Sequence, residues 1–334
     1  MGDDNVTATR KDVAKLAGVS VATVSYVINK TKQVTPKVRE RVEAAIKELN
    51  YSPNLVARSL STRKTQHVAM LVNNLKNPYY TEMLAGAQSV ACKKGYIVSI
   101  VMVDYADSEE NLKLAARGLD GVIVATVQID KTVKLLDGSI PFATPSENLY
   151  CSYKEGIFEA VKSLKEYGHV NIAFLSGLRM GAGNERYRYL MEALQYYNLP
   201  VNTKLMVDGN QREETDEEAG ADAMRELMSR KEPFTAVLAV NDLMAFGAMS
   251  VLNKKGLKIP EDVSVIGCDN LEIGKYFLPA LSTLDVSTFN MGKYLMKELI
   301  SEIENKAETR KIVVSSYVER ESVGKCRDSN WESK

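Results

Sequence analysis

The segment TRKDVAKLAGVSVATVSYVIN, residues 9–29, reads as two short helices joined by a sharp turn. Thr9 stands where a hydroxyl can accept from the exposed amides of a helix start, and Asp12, three residues on, can answer it, as in a capping box. In the helix over residues 10–17, Val13, Leu16 and Ala17 fall at i, i+3 and i+4, so they are expected on one apolar face. Gly18 ends that helix, Val19 points inward, and Ser20 can cap a second helix over residues 21–29. Val24, Val27 and Ile28 form its buried face, which leaves Val21, Ala22, Ser25, Tyr26 and Asn29 on or beside the opposite one. Small apolar residues at an exposed helix start need a surface to bury against, and a DNA groove receives the N-terminal residues of a recognition helix. A third helix begins at Thr35-Pro36 and runs through Val38, Val42, Ile46 and Leu49, a stripe that packs the three together. Pattern alone fits a generic three-helix protein-binding module as well as a DNA-binding headpiece.

Outward from this segment the chain changes character. From His67 onward, apolar runs at 68–72, 97–103, 122–125, 172–175, 236–240 and 263–267 alternate with helical stretches at 79–94, 153–167, 184–197, 216–229 and 242–254. Such alternation is the signature of βα units and a parallel sheet. Ligands of open α/β folds sit beyond the carboxyl ends of strands, which directs attention to Asn77-Pro78-Tyr79-Tyr80, Asn241-Asp242 and Asp269-Asn270. The tyrosines can stack on a ring, and Asp269 can grip hydroxyls or charge. Each also has a structural reading, because strand-end Asp and Asn cap helices and tyrosines pack. The charge divides at the same place: residues 1–64 hold 12 Lys and Arg against 6 Asp and Glu, and the remainder 31 against 37. A basic segment is a solvated face or the footprint of a polyanion.

Other classes find little support. The chain, 45% hydrophobic and 26% charged, has the composition of a soluble globular protein, and its apolar runs fall far short of the roughly 20 residues of a membrane span. Its first residues lack the basic start and apolar core of a secretory signal, so a cytoplasmic location is expected. Cys92, Cys151, Cys268 and Cys326 show no C-x-x-C spacing, and reduced thiols are expected. With His67 and His169 the only histidines, no metal site, cofactor or catalytic pair is expected, and His169 is assigned a structural role. No G-x-G-x-x-G, Walker-type or G-x-S-x-G motif supports an α/β enzyme.

The wording of residues 12–20 (DVAKLAGVS), 23–29 (TVSYVIN) and 44–54 (AAIKELNYSPN) resembles the DNA-binding headpiece of the LacI/GalR repressor family, and the likeness extends over roughly residues 8–324. It implies an all-α helix-turn-helix headpiece over residues 8–51, a hinge helix and linker over 52–64, and a two-lobed α/β body over 65–324 like a type I periplasmic binding protein. Base-reading positions then fall on Val21, Ala22 and Tyr26, with Thr23, Ser25 and Asn29 beside them. A leucine at the place of Leu60 wedges into the minor groove, and small apolar side chains at 21 and 22 suit a thymine methyl. The resemblance implies a homodimer on pseudo-palindromic operator DNA, modulated by an effector in the inter-lobe cleft that touches Tyr79, Tyr80, Arg186, Asn241 and Asp269. The chain departs from the pattern at that cleft. Ser152 stands where an aspartate is expected four residues before Gly156, Tyr189 replaces a glycine in the stretch after Arg186, and the acidic segment 209–220 holds no aromatic. The expected effector is therefore a sugar or related metabolite in an unusual pocket or, alternatively, a phosphorylated carrier protein.

Overall fold

The computed structural model describes residues 8–29, 32–51, 64–103, 117–126, 129–136, 138, 140–145, 149–180, 184–209, 214–306 and 311–326. The hinge helix expected over residues 52–64 falls on the span 52–63, and with Leu60 it lies outside the described residues. Contacts divide the chain into two compact units, Met1–Thr65 and Gln66–Lys334.

The smaller unit holds α1 (Arg10–Ala17), α2 (Val21–Asn29) and α3 (Pro36–Glu48). The capping box forms as the sequence predicts: Thr9 N–H donates to Asp12 Oδ2 at 2.8 Å and Asp12 N–H to Thr9 Oγ1 at 3.4 Å. Gly18 closes α1 in the left-handed conformation, φ 62°, which glycine adopts without a steric penalty. Val13, Ala14, Ala17, Val24, Val27, Val42, Ala45 and Tyr51 make the core. One expectation is corrected here, because Leu16 is 46% exposed. Lying against both α2 and α3, α1 buries the 13/14/17 stripe, and the small side chain of Ala14 permits the close approach that turns Leu16 to solvent.

The larger unit repeats one winding twice. Its first lobe is built on β1 (His67–Val72), β2 (Ile97–Met102), β3 (Gly121–Val124) and β4 (Phe142–Ala143), all parallel in the order β2-β1-β3-β4. Helices α4 (Pro78–Lys94) and α5 (Ile129–Leu136) belong to it. The chain then passes through β5 (Leu149–Ser152) and α6 (Lys154–Glu166) into the second lobe. There β6 (Ile172–Leu175), α7 (Glu185–Tyr196), β7 (Met206–Val207), α8 (Glu217–Ser229), β8 (Ala236–Ala239), α9 (Asp242–Lys254), β9 (Ser264–Cys268) and β10 (Ser282–Asp285) follow. The long α10 (Thr288–Ile303) packs back on α4, and β11 (Lys311–Val314) and β12 (Ser316–Val318) end the described structure. The second sheet runs β12-β10-β9-β8-β6-β7, the same 2-1-3-4 winding extended at one edge, while β11 pairs with β5. The sheets are parallel as expected, with one antiparallel strand added at the edge, where β12 pairs with β10.

Fully buried strands such as β6 and β8 read as unbroken apolar runs because helices cover both faces. Each buried Val, Leu, Ile or Phe contributes roughly 1.5–3 kcal/mol over leaving it in water. Each lobe is also clamped by one helix pair in backbone contact. A Cβ at Gly86 of α4 would stand 1.9 Å from the Phe289 carbonyl oxygen, and one at Gly292 of α10 1.9 Å from that of Met83. In the second lobe a Cβ at Gly220 would meet Met244 O at 2.2 Å, and at Gly247 Glu217 O at 1.9 Å. His169 is a buried structural tie: its Nδ1 lies 2.9 Å from Thr235 Oγ1 and its Nε2 2.9 Å from Gly324 O. Burial holds its pKa below the ordinary histidine value.

Candidate functional site

On α2, the Ser20 hydroxyl accepts from Thr23 N–H at 3.1 Å and so begins the helix with its first turn turned outward. Val21 is 41% exposed, Ala22 is exposed, and Thr23, Ser25 and Tyr26 are half-buried. Thr23 Oγ1 sits 2.9 Å from Ser20 Oγ, so the hydroxyl serves the cap. Lys32 Nζ lies 4.9 Å from the Tyr26 ring centroid, bringing a positive charge to the same side. Asn29 closes the helix. The polar and apolar groups of this turn are those a groove of bases could meet.

In the larger unit a cavity of about 220 Å³ opens where both windings reverse. Its lining comes from the carboxyl ends of strands in both lobes: Tyr79 and Tyr80 after β1, Thr126 after β3, Arg186 after β6, Asn241 after β8 and Asp269 after β9. Arg186 Nη2 lies 3.9 Å from Asp269 Oδ1 and donates to the Tyr153 hydroxyl at 2.8 Å, while its guanidinium carbon is 4.2 Å from the Tyr153 ring centroid. Arg186 Nε and Asp269 Oδ1 are nonetheless buried with no hydrogen-bond partner. A buried donor and a buried acceptor left open in one cavity are the groups a ligand would satisfy. Burial pushes the Asp269 carboxyl up to about 7, with Arg186 acting the other way. Burial pushes the Cys151 thiol up to about 12 and the Cys268 thiol well above its ordinary value, so neither supplies a ready thiolate.

All five expected effector residues line this cavity, but not in equal roles. Asn241 Oδ1 caps α9 by accepting from Met244 N–H at 2.9 Å and its Nδ2 donates to Thr215 O at 2.8 Å, so its amide serves the fold. Tyr80 is buried and meets Tyr79 edge to face at 5.4 Å; the Tyr79 hydroxyl donates to Met291 Sδ at 3.4 Å. Tyr153 and Thr126 were not singled out from sequence. The signal for Tyr153 was faint: an aromatic at the helix start just after Ser152, where an acidic clamp was expected. Ser152 itself is turned away, its hydroxyl donating to Glu155 Oε2 at 2.6 Å.

Residues 9–54 match the family described as bacterial regulatory proteins, lacI family, and residues 161–323 match a periplasmic binding protein-like domain. The chain is 33% identical over 324 residues to the HTH-type transcriptional repressor PurR of Histophilus somni (strain 129Pt), covering 92% of this chain and 95% of the relative. It is 35% identical over 320 residues to that of Vibrio vulnificus (strain CMCP6), covering 91% and 95%. Its fold is similar to that of the transcriptional regulator CelR in complex with cellobiose, with TM-score 0.69 and 30% identity over 94% of this chain and 99% of that one. It is similar too to the lac repressor dimer bound to operator and the anti-inducer ONPF, with TM-score 0.76 and 25% identity over 95% and 99%.

Proposed function

The chain belongs to the lacI family of bacterial regulatory proteins, and from that premise we propose that it is a cytoplasmic, homodimeric repressor whose α2 reads operator DNA and whose cleft binds a small neutral effector. The open Arg186–Asp269 pair carries the effector half of this reading. At about 220 Å³ the cavity falls below the roughly 300–1,000 Å³ typical of drug-sized ligands, which favours a single small metabolite. Its one guanidinium and one carboxylate offset each other, so it offers no net charge to a phosphate. The effector presents an acceptor to Arg186 Nε–H and a donor to Asp269 Oδ1, as an edge of a sugar or a nucleobase does. That chemistry favours a small molecule over the phosphorylated carrier protein as effector.

On α2, Val21, Ala22 and Tyr26 are the proposed base contacts, Thr23, Ser25 and Asn29 their neighbours, and Leu60 the proposed minor-groove wedge. A second copy would cover the apolar face at Ile273, Tyr276 and Leu278, which are 49%, 73% and 87% exposed. The similarity to a repressor solved as a dimer on operator supports that occupant. The test is selection of bound sites from random DNA by the full chain, followed by titration of the best site, at fixed salt, with monosaccharides, cellobiose and nucleobases. Two half-sites in inverted repeat and a change in affinity with one neutral compound are expected. If no symmetric site emerged even at low salt, the DNA half of the proposal would be lost.

A further inference from the structure

Asp269 and Asn270 are consecutive residues with φ of 110° and 54°, a left-handed pair with no glycine in it. Such backbone persists only where its surroundings over-determine it. Asp242, the fully buried first residue of α9, does so from behind. Its Oδ2 accepts from Leu271 N–H at 2.7 Å, and its Oδ1 accepts from the Thr283 hydroxyl at 2.6 Å. Thr283 Oγ1 in turn accepts from Asn270 N–H at 3.2 Å, and Asp269 N–H donates to Leu284 O at 2.9 Å. Arg320 adds a donor to Asn270 Oδ1 while anchored on Leu281 O at 2.6 Å. Room for this carboxylate exists only because residue 267 is glycine: a Cβ there would stand 2.1 Å from Asp242 Oδ1. Three successive amides, 269 to 271, are thus all held, two of them through Asp242 and Thr283.

We propose that Asp242 is a positioning residue for the effector grip: through Leu271 and Thr283 it fixes the left-handed turn that presents the Asp269 carboxylate to the cavity beside Arg186. The proposal rests on the reading of Asp269 and Arg186 as effector ligands, but the placement of Asp269 is measurable without any effector. Burying an acid here is costly, and burial and the nearby Asp269 push the Asp242 carboxyl up to about 8. A fold tolerates that cost where the group has work that an apolar residue could not perform.

The experiment uses the full chain free of effector, labelled with ¹⁵N and with ¹³C at aspartate carboxyl carbons, as wild type and as Asp242→Ala, Asp242→Asn and Thr283→Val. In Asp242→Ala the amides of Asn270 and Leu271 are expected to lose hydrogen-exchange protection by roughly tenfold to a hundredfold, the effect of removing a buried hydrogen-bond acceptor. The Asp269 carboxyl signal, identified by its absence in Asp269→Asn, is expected to titrate lower as the released group reaches water. Asp242→Asn, which keeps an oxygen for Leu271 N–H, restores most of the Leu271 protection. Thr283→Val, which keeps the side-chain volume, exposes the Asn270 amide even if the alanine variant fails to fold. Unchanged exchange at residues 270 and 271 with an unchanged Asp269 titration in these variants would overturn the assignment. Failure of the effector reading shows separately, as an Asp269→Asn protein that still responds to the compound found by titration.

Discussion

The proposed reading helix and the proposed effector cleft would solve recognition in opposite ways. On α2 the face proposed to read DNA is whatever the core does not use, so Val24 and Val27 go inward and Val21 and Ala22 are left out. The arrangement is local and follows from helical spacing alone. In the cleft, Tyr79, Tyr153, Arg186 and Asp269 lie on four elements separated by dozens of residues, and no stretch of chain contains the site. A local site is insensitive to neighbours but offers few interactions; an assembled one is strong but depends on every element that holds it.

The contrast sets the expected order of effects. Arg186→Ala leaves the Asp269 carboxylate buried beside no cation, so affinity for the effector should fall about a hundredfold or more while operator affinity without effector stays put. Isothermal titration and a gel-shift titration separate the two, and a parallel loss in both would erase the distinction between the sites. Tyr26→Ala should cost operator affinity about tenfold, the scale of one base contact, with effector binding unchanged. The third effect is on pH. Asp269 and Asp242 have carboxyl pKa values raised to about 7 and about 8 from an ordinary value of 3.8, so the folded state holds these protons more tightly than the unfolded chain. Their contribution is fully present below the unfolded value and is lost as pH rises toward 7 to 8. Stability of the larger unit should therefore decline from pH 5 to pH 8, and urea titrations of Asp269→Asn should show a flatter decline. Smallest is Thr9→Ala, which removes one side of the capping box and should lower headpiece stability by about 1 kcal/mol in thermal melts.

The same contrast explains what could be read in advance. Helix starts at Thr9, Ser20 and Pro36 were legible because caps and Pro at the first turn act within four residues. The alternation of apolar runs and helices revealed the α/β body, a strand end pointed to Asp269, and the resemblance to the family pointed to Arg186. Leu16 was misplaced because which of two adjacent stripes faces inward depends on the neighbours, here α2 and α3. Tyr153 escaped because its partner is Arg186, 33 residues on, and Asp242, marked only as a strand-end residue, looks the same whether it caps a helix or braces a turn. The antiparallel β12 follows from chain return in space, which periodicity does not encode.

The glycine crossings of α4 with α10 and of α8 with α9 bear on mechanics. Helices whose backbones touch have no compliant side-chain layer between them, so neither pair can slide or tilt without breaking close packing. Each lobe then responds to load as a stiff plate. Among the described residues, the chain passes between lobes at β5 on its way to α6, at residues 286–287 between β10 and α10, and at β11 beside β5. Turning a lobe as one body then disturbs less close packing than sliding its helices past each other.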